Sequence, residues 1–453
     1  MTTRNRRKNH RRRILATILT GCFVLNQTMT FTVVASEISG ITNGGHGTFD
    51  ITPETASGNV GFRGYDHFTL DEGDIANLIF QYGSGNIETF INLVKDRVTI
   101  NGIINAMRDG KFYNGKAVFV SPKGVVVGAS GVINVGSLGI YTPDPSNKKY
   151  KDLDNNRDAA SWEAFENAGT ALQTTGPLGT GEGIVDIQGK IFTNGDIVIK
   201  AGDVNIGKDA GVVAGINADK MGLILTQDQA KALFNQLVNT ENMTVNPEFA
   251  SNGNGQIHIT SVGFGDGNVD NSGLNIEGTV VNMAKGNGGI YLTNYRAGGK
   301  GINVSGNVYN ENGTVDIYNQ EGSLILSGNI ANNGNQMNII NSPSDSTDSN
   351  SKLEISGNVQ NNGNMEIINL GGKGLNISGT VNNTGDANVR NGYIGSSTKN
   401  TGGLNVSGTF NNGGNLTMTN TATGVDGLNV SGNINVGQNA TLNNAGAAGL
   451  NVI

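Results

Sequence analysis

One cysteine, one tryptophan, four histidines and seven prolines are spread over 453 residues. The cysteine, Cys22, lies inside an N-terminal leader, so the remainder of the chain can form no disulfide and perform no thiol chemistry. Beyond the leader, His46, His67 and His258 stand far apart, with no acidic residues at metal-ligand spacing. Phosphate-binding glycine loops and the GxSxG nucleophile turn are missing. Gly263 to Gly273 carries Asp266 and Asp270 but not the repeated GGxGxD of calcium-binding solenoids. These absences predict a protein with no cofactor, no metal and no catalytic site.

Charge is also scarce, at 15% of residues. The leader holds Arg4, Arg6, Arg7, Lys8, Arg11, Arg12 and Arg13 and no acidic residue. Removing those seven of the 30 basic residues leaves 23 against 37 acidic ones, a net charge of −14. An acidic surface without clustered cations disfavours nucleic acid as a partner.

The basic run, the mostly apolar stretch Ile14 to Ala35, and the small residue before Ser36-Glu37 predict a secretory signal peptide over 1–35, cut between Ala35 and Ser36. A transmembrane anchor is the alternative; Asn26, Gln27 and five threonines weaken it. Leu19-Thr20-Gly21-Cys22 resembles a lipoprotein box, but a largely apolar stretch runs on to Ala35 where a lipoprotein would turn polar.

Glycine and asparagine are abundant instead. A Ser-Gly step recurs at Gly306, Gly328, Gly357, Gly379, Gly408 and Gly432, with Glu277-Gly278 as a first variant copy; the intervals are 28, 22, 29, 22, 29 and 24 residues. Apolar residues stand four and two before each glycine and two after it, as in Leu324, Leu326 and Ile330. Period-two alternation means strands with one buried face. Glycine is expected to let the chain bend between two of them. A further strand in every copy ends on asparagine: Asn294, Asn319, Asn341, Asn369, Asn391, Asn420 and Asn444. A second series, Asn282, Asn310, Asn332, Asn361, Asn383 and Asn412, falls four after the glycine and breaks at Val436.

Short strands repeated about every 22 residues between Asn/Gly turns predict an all-β, right-handed parallel β-helix with short helical excursions. Coils stacked about 4.8 Å apart would align both asparagine series as hydrogen-bonded ladders. Length varies mainly at one corner, between the Asn294-series residue and the next apolar anchor, which predicts projections from one side of the rod. The sequence ends at Leu450-Asn451-Val452-Ile453, inside an eighth copy with no polar cap, as expected of a fragment or of the front of a much longer rod. Earlier, Val185, Ile187, Gly189, Ile191, Ile197 and Ile199 follow the same grammar. Residues 144–177, with Trp162, predict a helical insertion. Residues 226–238 predict an amphipathic helix with a Thr226/Gln229 capping box, lying on the side or end of the β-helix.

Residues 36–142 contain SEISGITNGGHGTFDITP, GDIANLIF and FINLVKDRVTINGIINAMRDGKFYNGKAVFVSPKGVVVGASGVINVGSLGIYTP. This stretch resembles the secretion domain of two-partner-secretion exoproteins, the filamentous haemagglutinin family, and is most like the leukotoxin-type filamentous adhesins. The resemblance implies export of the unfolded chain through a dedicated outer-membrane β-barrel transporter, and nucleation of the β-helix outside the cell. It carries over Asn92, Pro122, Gly124 and Asn134; Ser121 and Lys123 replace two asparagines of the family's Asn-Pro-Asn-Gly turn. The expected organisation is a signal peptide (1–35), a secretion domain (36–142), β-helix with helical insertions (143–272) and regular repeats (273–453). The expected function is a secreted or surface-exposed filamentous adhesin contacting a host or bacterial surface receptor. The alternatives are the front of a secreted toxin and a carbohydrate-active β-helix. The last would need converging charges, but Glu354, Glu366 and Arg390 do not repeat in register.

Overall fold

The computed structural model describes residues 36–42, 47–175, 183–262, 273–295, 300–343, 350–392, 402–422, 426–446 and 448–453. Ala35, Cys22, His46, Asp266 and Asp270 lie outside the described residues.

Alternation decides the architecture. In Ser323–Leu326, Leu324 and Leu326 are fully buried while Ile325 between them faces outward. The Ser-Gly step then turns the chain into Asn329–Asn332, which buries Ile330, and Gln336–Asn341 buries Met337 and Ile339. Three short strands close one coil, and the coils repeat as a parallel β-helix. Apart from two short hairpins, Gln81–Tyr82 with Gly85–Asn86 and Val238–Asn239 with Thr244–Val245, the described strands fall into three sheets, here A, B and C, of 14 strands each.

Sheet A runs from Glu37–Ile38 to Leu450–Val452, sheet B from Thr48–Ile51 to Asn433–Val436, and sheet C from Thr55–Ser57 to Ala440–Asn444. Within these three sheets pairing is parallel except in three places. Glu37–Ile38 lies antiparallel on Phe68–Leu70, and Thr55–Ser57 on Val60–Tyr65, so two sheets begin with a reversed strand. In sheet B, Lys111–Phe112 folds back on Ile103–Arg108.

The register stacks like on like. Leu274, Ile302, Leu324, Leu353, Leu375, Leu404 and Leu428 are successive Cα partners in sheet A. One core runs from Ile38 to Val430, through the sequence boundaries at 142/143 and 272/273. Those boundaries mark changes of surface, and Ser36–Ile453 is one compact unit. Each stacked aliphatic side chain contributes about 1.5–3 kcal/mol by leaving water.

The Ser-Gly glycines do not have the role expected of them. None adopts a positive φ; they are needed because the coils touch. A Cβ on Gly328 would lie 2.0 Å from the carbonyl oxygen of Gly306, and one on Gly357 would lie 2.0 Å from that of Gly328. Ser327 and Gly328 both donate to the Val304 carbonyl, at 2.9 and 3.0 Å, which draws the corner onto the rung before it.

Both helical excursions form, and each covers an outer face that is apolar. Residues 144–177 yield two helices, Lys148–Asn156 and Ala159–Thr175. Tyr150, Leu153, Trp162 and Phe165 pack on Phe62, Ile91, Val118 and Tyr141, outside sheet C. The third helix, Gln227–Leu237, starts at the Thr226/Gln229 capping box. It lays Ala230, Phe234 and Leu237 over Phe192 and Val213, outside sheet B, with Val281, Tyr309 and Ala331 in the same cluster. Sheet B faces water with asparagine and threonine once this cover ends, as at Asn382 and Asn411.

Candidate functional site

The two asparagine series are two single files. In the first, each Nδ2 donates to the next Oδ1: Asn294 to Asn319 at 2.9 Å, then Asn319 to Asn341, Asn341 to Asn369, Asn369 to Asn391, Asn391 to Asn420 and Asn420 to Asn444, all at 2.8 Å. In the second, Asn282, Asn310, Asn332, Asn361, Asn383 and Asn412 are linked at 2.8–2.9 Å. Val436 pairs with Asn412 and ends that file. The second amide hydrogen closes the local corner, as from Asn319 to Gly322 O at 3.1 Å and from Asn361 to Asn364 O at 2.8 Å. Each side chain thus holds its own turn and the rung beyond it, in a dry environment where an unmade bond is costly.

Outer ladders accompany them. Asn275 donates to Asn205 and Asn303 to Asn275 on sheet A, where Asn429, Asn405 and Asn376 form a further run. Asn435, Asn411 and Asn382 form another on sheet B. These last line an open groove of about 600 Å³ with Gln360, Asn362 and Thr384. The sequence signal was present: asparagine is the middle residue of the strand before the glycine step in five of seven copies, with Ile325 and Glu354 in the other two.

The residues carried over by resemblance fall in three places. Ser121, Pro122, Lys123 and Gly124 form one turn between sheets C and A. Ser121 Oγ accepts from Lys123 N at 3.2 Å and donates to Asp96 O at 2.7 Å, while Gly124 N donates back to Ser121 O at 3.2 Å. Serine therefore supplies the turn bond that asparagine would make. Gly124 has φ +102°, and a Cβ there would lie 2.3 Å from Ile184 O. Asn92 points into the core, accepting from Tyr65 Oη at 2.8 Å and donating to Val118 O at 3.2 Å. Burial raises the Tyr65 hydroxyl above its ordinary pKa, so it stays a donor. Asn134 lies on the outer face of sheet B under the covering segment and donates to Asn105 Oδ1 and Gly222 O, each at 2.8 Å. Asn105 in turn holds Ile224, accepting from its N at 3.0 Å and donating to its O at 2.8 Å. Of the six residues, Lys123 alone is exposed. Ser36 is tied in at the first coil: its Oγ accepts from Asp71 N at 2.7 Å and bonds the Asp74 carboxylate.

The remaining candidates do not converge. Glu354 lies on sheet A beside Lys352, whereas Glu366 and Arg390 lie on sheet C. His67 Nδ1 sits 2.7 Å from Asp96 at the surface, and His258 stacks on Tyr291 with ring centroids 4.5 Å apart. Among the described residues no three of His, Cys, Asp or Glu are grouped to hold a metal, and no helix is long and apolar enough to cross a membrane.

No family model matches the chain, and no curated protein is similar to it.

Proposed function

We propose that this chain is the stalk-forming front of a secreted filamentous surface protein of adhesin type, exported by a dedicated outer-membrane transporter. The observation that carries the reading is the unbroken rung-on-rung register of three sheets, welded by two buried asparagine files. Such a spine spans about 60 Å at the ordinary strand spacing. Rigidity, length and a polar repeating surface suit a spacer that displays binding elements, and insertions collected at the corner between sheets C and A suit that display.

The export part rests on the resemblance of residues 36–142 to the two-partner-secretion family. Burial of Asn92, Ser121, Pro122, Gly124 and Asn134 favours reading before folding, because a partner of the folded chain could touch only Lys123. The asparagines and the Ser-Pro-Lys-Gly turn then have a second role as folding determinants of the first coils. The very short reversed strands beginning sheets A and C fit this nucleating role, since a short edge strand discourages further strand addition at that end.

The test is release of the chain, with and without residues 36–142, from bacteria with and without a co-expressed two-partner-secretion transporter. The expected result is release that needs both transporter and segment. Equal release of the deletion variant, or release without the transporter, would overturn the reading.

A further inference from the structure

Past the two helices that cover its first coils, sheet C turns an aromatic and acidic patch to solvent. Tyr291 and Asp316 are direct partners on neighbouring strands, and Tyr318 follows two residues along on the same face as Asp316. Tyr295, just past the strand end, packs on Tyr318 with ring centroids 5.9 Å apart. His258 stacks flat against Tyr291, 7° from parallel, and fixes that ring. One tyrosine thus faces the carboxylate across the rung, and a pair of tyrosines lies beside it along the strand.

That carboxylate stands in a column of amides and carboxylates. The positions below it on the same face are Asn338, Glu366 and Asn388, and Asn338 is satisfied by Gln336 Nε2 at 2.7 Å. Asp316 Oδ1 is buried and has no hydrogen-bond partner among the described residues. Burial holds its carboxyl above the ordinary range, with no basic group acting against that. An asparagine would fill the place without this cost, as Asn338 does on the next rung.

We infer that Asp316, Tyr291, Tyr295 and Tyr318 form a binding site for a primary alkylammonium group, of the kind a lysine side chain or a polyamine carries. The ring faces attract a cation, and partial burial strengthens the attraction. The orphaned Oδ1 can accept a hydrogen bond that a primary ammonium donates and a quaternary ammonium, having no N–H, does not. A divalent metal would want six or more oxygen ligands, and one carboxylate with tyrosines does not supply them.

Titration calorimetry of the intact chain with n-butylammonium, spermidine, Nα-acetyl-lysine amide and choline tests the site at low ionic strength. The expected result is saturable binding of n-butylammonium, with choline weaker by about tenfold for want of the hydrogen bond. Relative affinities for the lysine amide and spermidine then identify which carrier the site prefers. Asp316→Asn should lower the amine affinity by about tenfold or more, and Tyr318→Leu by about threefold. The asparagine variant suits its column, and an unchanged melting curve checks its fold. In the wild-type protein the Asp316 carboxyl carbon resonance should shift as amine is added. Absence of saturable amine binding, equal binding by Asp316→Asn, choline binding as tightly as n-butylammonium, or an unmoved Asp316 resonance would each overturn the assignment.

Discussion

Asn341 donates its amide hydrogen to Asn369 across a single rung, Nδ2 to Oδ1 at 2.8 Å, and neither side chain is exposed to solvent. Asn341 also receives the amide of Asn319 and donates to Ser351 Oγ at 3.0 Å. One side chain therefore joins three rungs and a corner. Asn341→Ala should cost about 2–4 kcal/mol, because donors and acceptors above and below lose partners in a dry place. Asn435→Ala, on an exposed ladder, should cost under about 1 kcal/mol. Urea denaturation of both variants checks the contrast; equal losses would mean that the buried file is not what welds the coils.

Stacking also predicts the effect of a single methyl group. Gly357→Ala would place a Cβ 2.0 Å from Gly328 O and 2.6 Å from the Ser327 carbonyl, all backbone of the preceding rung. The expected loss is about 3 kcal/mol or more. Gly222→Ala meets nothing within 4 Å and has no positive φ, so it should stay within about 0.5 kcal/mol of wild type. Similar stabilities for the two variants would refute close approach as the reason for the Ser-Gly column.

Lys200 is the third case. It is 4% exposed on sheet C, and burial lowers its pKa from 10.5 to about 8, against an opposing pull from Glu166. A depressed folded pKa means that the unfolded chain binds more protons between those two values. Stability due to this residue is therefore full above about pH 10.5 and declines as pH falls through about 8. Lys200→Met should be more stable than wild type by roughly 1–3 kcal/mol near neutral pH, with the gap shrinking towards about pH 10. Denaturation curves at the two pH values measure the gap, and a constant gap would contradict a desolvated lysine.

The helix that covers sheet B should fray independently of the rod. Thr226 Oγ accepts from Gln229 N at 3.2 Å and Gln229 Oε1 accepts from Thr226 N at 3.2 Å. Thr226→Ala should lower protection of Gln227–Leu237 against hydrogen exchange by about 1 kcal/mol while leaving the exchange of the sheets unchanged. Equal loss of protection in the sheets would show that the cover and the coils unfold together.

Much of the spine was legible because period two and a constant corner leave the same residue type at the same place in every copy. Asn319, Asn341 and Asn369 could be aligned from spacing alone, and they do stand in file. The outer files through Asn376, Asn405 and Asn429 carry a weaker signal, because Ile325 and Glu354 interrupt that position. The glycines were assigned the right position and the wrong reason, because a bend constrains one coil whereas close approach involves two. Asn92 and Asn134 were grouped with the Ser121–Gly124 turn by resemblance. In the folded chain the first points inward, the second lies beneath a covering segment, and the turn sits at a corner.

By itself the sequence determined what repeats: which side chains face inward, where each coil turns, and that like residues meet one rung apart. Those properties are local, or follow from a fixed strand spacing. Tertiary structure alone decided which outer faces are covered, by Trp162 and Phe165 on sheet C and by Phe234 on sheet B. It also decided that Asp316 should stand unanswered among tyrosines from neighbouring coils. Such contacts join residues separated by insertions of irregular length, and nothing in a linear pattern fixes where an excursion lands when the chain returns to the rod.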